Sequence, residues 1–356
     1  MRRRSIALLA AVVATTTAAC GDDPPAAAPP TLPAVDAAAP GEGALHLLAA
    51  DGIGLGDVAA GFEAATGCRV TVDRQRSSAE IVRRASATDV DVFVVSGDAV
   101  LALAVAGAAV PVPRGADDDV VTAVRRAGER DGRRFGVPFA WGPEYLLATR
   151  SSFPAPPTSY DALFDPAYAE RIAVPDDPLQ IALAALVLGT RDPYALDARD
   201  LDAAAELIRR QRPLVREYWS DPADLGGLFA DGRVVLGQAR GRVAADLTTR
   251  GVSATVPAGP VLAWSSWFVI AAAAPHPRCA AKWRNYVLAP NVQIALARAA
   301  SGAPAVRAAC ALEGTIACAA DRLDDPAFLD SLRVARTPLQ PTGISAWEQA
   351  WSAARR

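Results

Sequence analysis

The stretch that most constrains this fold is residues 136–150, GVPFAWGPEYLLATR. Residues 135–140 read as an extended strand leaving one α/β unit. A turn is expected at Trp141-Gly142-Pro143, and a second extended run, residues 145–149, enters another unit. A strand that crosses between two lobes acts as a hinge, and its aromatic side chains face whatever fills the gap. The rest of the chain reads as two lobes hung on this crossing.

The first lobe begins with a buried apolar strand at residues 45–50. A helix at 56–65 puts Val58, Ala59, Phe62 and Ala65 on one face, and a strand follows at 69–72. A helix at 77–87 is capped by Ser77 or Ser78 with Glu80 in its first turn. A β-rich run at 90–95 and a helix at 98–106 complete the unit. This alternation is the pattern of a parallel sheet with helices on both faces. Ligands bind such sheets beyond the carboxyl ends of the strands, where Ser96 and Asp98 fall.

The second unit repeats the pattern. Helices are expected at 159–164, 179–188, 200–210, 221–230 and 242–249, and strands at 171–174, 214–219, 234–236 and 252–256. Residues 264–271 run extended and apolar, as a return crossing would. Helices at 279–288, 292–299 and 344–354 follow. The fold class is therefore α/β, with two lobes: 44–140 and 265–335 in lobe 1, 141–264 and 336–356 in lobe 2.

At 356 residues the chain has room for two ordinary domains. Lys282 is the single lysine among 36 Lys and Arg residues, a skew that reflects base composition of the coding genome. A net charge of −3 gives no basic face for nucleic acid. After the N-terminus no apolar run reaches the length of a membrane span.

The N-terminus is an address. Arg2-Arg3-Arg4 precedes a short apolar core and the run Thr17-Ala18-Ala19-Cys20. This resembles the bacterial lipobox, where cleavage exposes a Cys for lipidation, although Thr17 stands where that motif prefers Leu. Residues 1–20 are thus expected to be a lipoprotein signal peptide, with ordinary secretion as the alternative. The Pro- and Ala-rich residues 21–43 lack apolar periodicity and read as a disordered tether.

Export makes the other cysteines readable as disulfides. Cys310 and Cys318 bracket CALEGTIAC, a loop that can close on itself, which the chain-entropy relation values at about 2.5 kcal/mol. Cys68 and Cys279 are then left to pair. Buried free thiols are the alternative. No Cys pair has zinc-ligand spacing, and no metal or cofactor is expected.

Six stretches, in order, resemble the polyamine-type (spermidine/putrescine) substrate-binding proteins of ABC transporters. They are VPFAWGPEYL, YDALFDPAYAERIAVPDD, YWSDPADLGGLFADGRVVLGQ, AWSSWFVI, HPRCAAKWRNYVLAPNVQIALA and LQPTGISAWEQAWSA. The resemblance implies a periplasmic-binding-protein-like fold of type II and no catalysis. It also implies partnership with an ABC permease and ATPase and closure around a small-molecule ligand; a monomer is expected, and the lipobox-like run implies tethering to the cell membrane.

Carried over residue by residue, the resemblance puts Ser96 and Asp98 beside the ligand; both residue types also cap helices. Asp177 stands where the family has a carboxylate that holds an amine, and Asp177-Pro178 is equally a helix start. Gln180 occupies the family's second acidic position. Trp264 matches a stacking Trp and Gln340 a cleft Gln. Trp141 and Trp219 belong either to the hinge packing or to the ligand.

Several departures weaken the polyamine expectation. Ser266 replaces an Asp, Ala239 replaces an aromatic, and the aromatics expected near the first strand are missing around residues 50–53. A buried charge without its partner costs roughly 3–5 kcal/mol, whereas stacking a cation on an aromatic returns about 0.5–2 kcal/mol. A dication can therefore be held only if Asp98 and Asp177 take over from the missing carboxylates. Arg240 and Arg242 flank the lost aromatic and allow an anionic or zwitterionic ligand, or simply begin a solvated helix.

Enzymatic signatures are lacking. The histidines are His46, in the first strand, and His276, in a Pro-His-Pro turn. Neither a Gly-x-Ser-x-Gly elbow nor a phosphate loop occurs. The functional expectation is extracytoplasmic capture of a small polar or cationic metabolite, with a sensor that does not transport as the alternative.

Overall fold

Short apolar runs become strands here, and the amphipathic runs between them become the helices that cover the sheet. The computed structural model describes residues 39–87, 89–339 and 341–356. The expected signal peptide, the lipidation site Cys20, most of the 21–43 tether, and Gln340 lie outside the described residues.

In chain order the strands are β1 (Ala44–Ala50), β2 (Arg69–Gln75), β3 (Val92–Ser96), a small hairpin of β4 (Glu129–Arg130) and β5 (Arg133–Arg134), and β6 (Val137–Thr149). They continue as β7 (Ile172–Pro175), β8 (Val215–Trp219), β9 (Leu236–Arg240), β10 (Val252–Thr255), β11 (Val261–Ile270), β12 (Ala303–Pro304) and β13 (Leu332–Val334).

In the first lobe β1 pairs in parallel with both β2 and β3. In the second, β7 pairs in parallel with both β8 and β9. The remaining pairings are reciprocal. Strand β11, returning from the second lobe, lies antiparallel between β3 and the first half of β6. The second half of β6, arriving from the first lobe, lies antiparallel between β9 and β10. Each lobe is thus completed by a strand that has crossed from the other, giving the order β2-β1-β3-β11-β6-β9-β7-β8.

The expected turn at Trp141-Gly142-Pro143 does not form; β6 runs unbroken for 13 residues. A proline pushes the residue before it toward extended backbone, so Gly142-Pro143 continues a strand as readily as it turns one. Pro143 is the last β6 residue paired with β11, opposite Ala263, and Glu144 is the first paired with β9, opposite Arg240. The missing proline N–H therefore falls where the strand changes partners, a position a sheet tolerates.

Two other expectations shift. The helix expected at 77–87 is only Ser78–Arg83, and the strand expected at 234–236 becomes Leu236–Arg240. In the second case the apolar Val234 and Val235 lie buried before the strand, and the ladder begins where β9 meets β6.

Each lobe has an apolar layer on both faces of its sheet. In the first lobe one layer gathers Phe93, Val95 and Trp267, and the other gathers Leu47, Phe62 and Trp283. The second lobe packs Leu183, Tyr160 and Trp347 on one face, and Leu225, Phe229 and Leu247 on the other. The Ala198–Gln211 helix shows how this comes about. Asp197 caps it by accepting the Asp200 N–H at 2.8 Å, and Leu201, Ala204, Ala205 and Ile208 recur at helical spacing on its buried face. The closing Ile344–Ala354 helix buries Trp347 and Trp351 against this lobe.

Both expected disulfides are present: Cys68–Cys279 and Cys310–Cys318. Among the described residues no helix is long and apolar enough to cross a membrane.

Candidate functional site

The strands that end at the gap between the lobes carry the polar residues there. β3 ends at Ser96, and the Gly97–Val105 helix begins at once. Ser96 Oγ makes no capping bond; it donates to Ser78 Oγ at 3.0 Å and so ties two helix starts together. Asp98 lies in the first turn of that helix, and its backbone oxygen accepts from Thr337 Oγ1.

Across the gap, β7 ends at Pro175. Asp177 Oδ1 accepts the Leu179 N–H at 2.8 Å, just before the Gln180–Val187 helix. Asp177 thus makes a local bond to the backbone at the helix start, and its second oxygen has no hydrogen-bond donor among the described residues. At the end of β8, Trp219 accepts the Asp176 N–H through its backbone oxygen at 2.9 Å. At the end of β9, Arg240 Nε lies 3.4 Å from Glu144 Oε1 on the crossing strand. On β11, Ser266 is buried and pairs with Ser96 on one side and Ala140 on the other, with Trp264 on its face of the strand.

The charged groups feel one another although they are scattered along the chain. Burial first and the Asp98 carboxylate second push the Asp177 carboxyl up to about 6, while the Leu179 N–H and Arg240 pull the other way. Burial works against the Arg240 charge, but Glu144, Asp177 and Asp98 together hold its guanidinium above the ordinary value. The buried Tyr194 hydroxyl is pushed up by burial and then by Glu144, Asp98 and Asp177. Residues 98, 144, 177 and 240 are thus close enough to influence one another.

Buried polar atoms also remain without partners among the described residues. They include Gln180 Oε1, Gln238 Oε1, Trp219 Nε1 and Trp264 Nε1. Native interiors pair nearly all such groups, so each of these atoms stands out as lacking a protein partner.

A cavity of about 260 Å³ lies against the crossing, walled by Trp141, Pro143, Tyr145, Trp264, Gly302 and Phe328. Two glycines let the Trp264 indole in. A Cβ at Gly142 would stand 3.0 Å from Trp264 Nε1, and one at Gly302 would stand 2.6 Å from Trp264 Cη2. Trp141 is fully buried and donates through Nε1 to the Pro304 oxygen at 3.0 Å, so it packs the hinge and also forms a wall of the cavity.

Of the residues singled out in the sequence, Asp98 and Asp177 come within electrostatic reach of each other. Ser96 ends β3, Trp264 and Ser266 lie on the crossing strand β11, Gln180 opens the helix after β7, and Trp219 ends β8. Glu144, Tyr194 and Gln238 carry no site expectation from the sequence, and Arg240 is expected there either to meet an anionic group or to begin a solvated helix. The signal for Glu144 was present: it is the one acid in an otherwise uncharged 13-residue strand. Both histidines lie elsewhere: His276 Nδ1 bonds the buried Asp91, and His46 Nε2 meets Asp73. Among the described residues no group of His, Cys, Asp and Glu could hold a metal ion.

Comparison with known proteins agrees with this architecture. The family model for bacterial extracellular solute-binding proteins matches residues 57–328. Among solved structures, a protein from Listeria monocytogenes described as a spermidine/putrescine ABC transporter is similar, with a TM-score of 0.71 at 18% identity over 88% of this chain and 99% of that one. The TpPotD lipoprotein of Treponema pallidum aligns with a TM-score of 0.69 at 17% identity, covering 88% and 99% of the two chains. The binding protein MotA of A. tumefaciens B6, in complex with glucopine, gives 0.66 at 18% identity over 88% and 99%.

Proposed function

The chain belongs to the bacterial extracellular solute-binding protein family, and from that premise we propose that it captures a small, polar, amine-bearing metabolite between its lobes and hands it to an ABC permease and its ATPase. What supports this reading is that Asp98 and Asp177, each at a helix start and assigned to opposite lobes, lie within electrostatic reach of each other. A carboxylate whose ionised form is disfavoured by burial and by a second carboxylate gains from a cation placed beside it. Contacts from both lobes to one solute favour the closed form, because a ligand shifts a two-state hinge only by binding one state better.

In this reading Ser96, Asp98, Asp177, Gln180, Trp264 and Ser266 contact the solute, Gln340 joins them, and Trp141 and Trp219 brace the walls. The lobes divide as residues 44–140 with 265–335, and 141–264 with 336–356. Cys20 carries the lipid that tethers a monomer outside the cell membrane, and the solute is taken up there. Native mass spectrometry of the protein as purified tests the reading. The expected spectrum contains a small-molecule adduct that is lost from a D98N/D177N variant. An adduct retained in that variant would contradict the amine site.

A further inference from the structure

We infer that residues 41–43, the junction between the expected tether and β1, form a strap that shuts the Cys68–Cys279 disulfide off from thiols, making this bond a guarded redox site. Gly41 supplies the close approach. A Cβ there would collide with Cys68 Sγ and stand 2.7 Å from Cys279 Sγ, so the Gly41 backbone lies directly on the bonded sulfurs. Both cysteines are fully buried, whereas Gly41 is only half-buried. The glycine is therefore the layer between these sulfurs and water. The Cys310–Cys318 bridge is the contrast: it joins two short helices, and Cys310 is half-buried.

Glu42 holds that layer down. The Pro277–Val287 helix follows His276, which makes no side-chain cap, so the first N–H groups of the helix need acceptors from elsewhere. Glu42 supplies them from the other end of the chain. Its Oε1 accepts the Arg278 N–H at 3.0 Å and Arg278 Nε at 3.0 Å, and its Oε2 accepts the Cys279 N–H at 2.9 Å. The helix dipole favours a carboxylate at this end, and charge strengthens each of these bonds. Gly43 fastens the other side. Its carbonyl accepts the N–H of Arg69, the residue after Cys68, at 3.1 Å, and its φ of 89° suits glycine. The strap is thus pinned beside each half of the disulfide, at Cys279 itself and next to Cys68. Reduction requires a thiolate to reach one sulfur and expel the other cysteine as a thiolate. The second thiol of a dithiol then displaces the first cysteine. Two cysteine thiols and a cyclic disulfide result, with two electrons and two protons passed from the dithiol to the protein. With the strap docked, attack waits until it lifts, so the rate follows the fraction of molecules in which it is open.

Dithiothreitol under native conditions tests this without any solute, so the outcome is independent of the proposed function. Freed thiols are alkylated at intervals and counted by peptide mass spectrometry, which follows the two disulfides separately in one molecule. In the wild type Cys310–Cys318 is expected to open first. G41A lifts the strap by collision with the sulfurs, and E42Q takes the charge from its clasp. Each should speed the opening of Cys68–Cys279 at least ~10-fold, the change that follows from losing a charge-assisted hydrogen bond that holds the closed state. The rate at Cys310–Cys318 should stay as it was. Equal acceleration at both disulfides would mean that the variants loosen the whole fold, and it overturns the inference. So does a Cys68–Cys279 rate that neither substitution changes, or a wild type in which Cys68–Cys279 opens first.

Discussion

Titrating the protein with a diamine at about pH 7.5, 6 and 5 isolates a single carboxyl group, because both amines of such a ligand stay charged throughout. Asp177 is pushed up to about 6 by burial first and by Asp98 second. With that value it is roughly 97% ionised at pH 7.5 and roughly 9% at pH 5. If only the ionised form holds an ammonium, affinity falls about 10-fold across this range, about 1.4 kcal/mol. An aspartate at its ordinary value would stay over ~90% ionised at both ends and give almost no change. Isothermal calorimetry reads the affinity, and D177N, weak and flat with pH, is the control.

Stability moves the other way. The folded-state value is raised above the unfolded one, so between 3.8 and about 6 the folded chain keeps a proton that the unfolded chain has lost. Ionising Asp177 therefore opposes folding, and the free protein loses stability as pH climbs through that window. The ligand-induced rise in Tm should grow over the same window. Affinity that stays flat down to pH 5, or that falls equally in D177N, would refute the reasoning.

Further expectations concern the scaffold. In G302A the added Cβ would meet Trp141 O and Trp264 Cη2, each 2.6 Å away; a loss of about 1–3 kcal/mol is expected by chemical denaturation, with weaker solute binding as Trp264 is displaced. Removing Cys68–Cys279, with a sequence separation of 211, should cost more than removing Cys310–Cys318, with a separation of 8. Chain entropy puts the two at about 5 and about 2.5 kcal/mol, and equal Tm losses in the two Cys→Ser pairs would count against that account. D91A strips the acceptor from the His46 and His276 N–H groups, both at 2.7 Å, and from His276 Nδ1 at 2.9 Å. A loss of about 2–4 kcal/mol is expected in urea unfolding, and one below about 1 kcal/mol would mean that water replaces the carboxylate without difficulty.

Elements with a strong local period were legible in the sequence. The apolar run that becomes β1, the amphipathic Ala198–Gln211 helix and the closing Ile344–Ala354 helix each follow from the spacing of their apolar residues. The crossing was legible as a strand but not as one strand, because Gly-Pro signals a turn and an extended handover equally well. Strands β12 and β13, two and three residues long, exist only through pairing with β6 and β11, so no local pattern announces them.

The positions of the candidate residues were legible where a residue ends a strand, as Ser96 does, or stands at a helix start, as Asp98 and Asp177 do. They were not legible where tertiary pairing brings residues together. Glu144 meets Arg240 only because β6 and β9 align in register, 96 residues apart in the chain. The orphaned Trp264 N–H depends on how closely two glycine backbones approach, which no spacing rule contains.

The central claim, that one small solute is gripped from both lobes at once, is tested most directly by a crystal structure of the protein with its tightest-binding amine. The account predicts density for the solute between Asp98 and Asp177. Density confined to one lobe, or lying away from the strand ends that carry these residues, would contradict it.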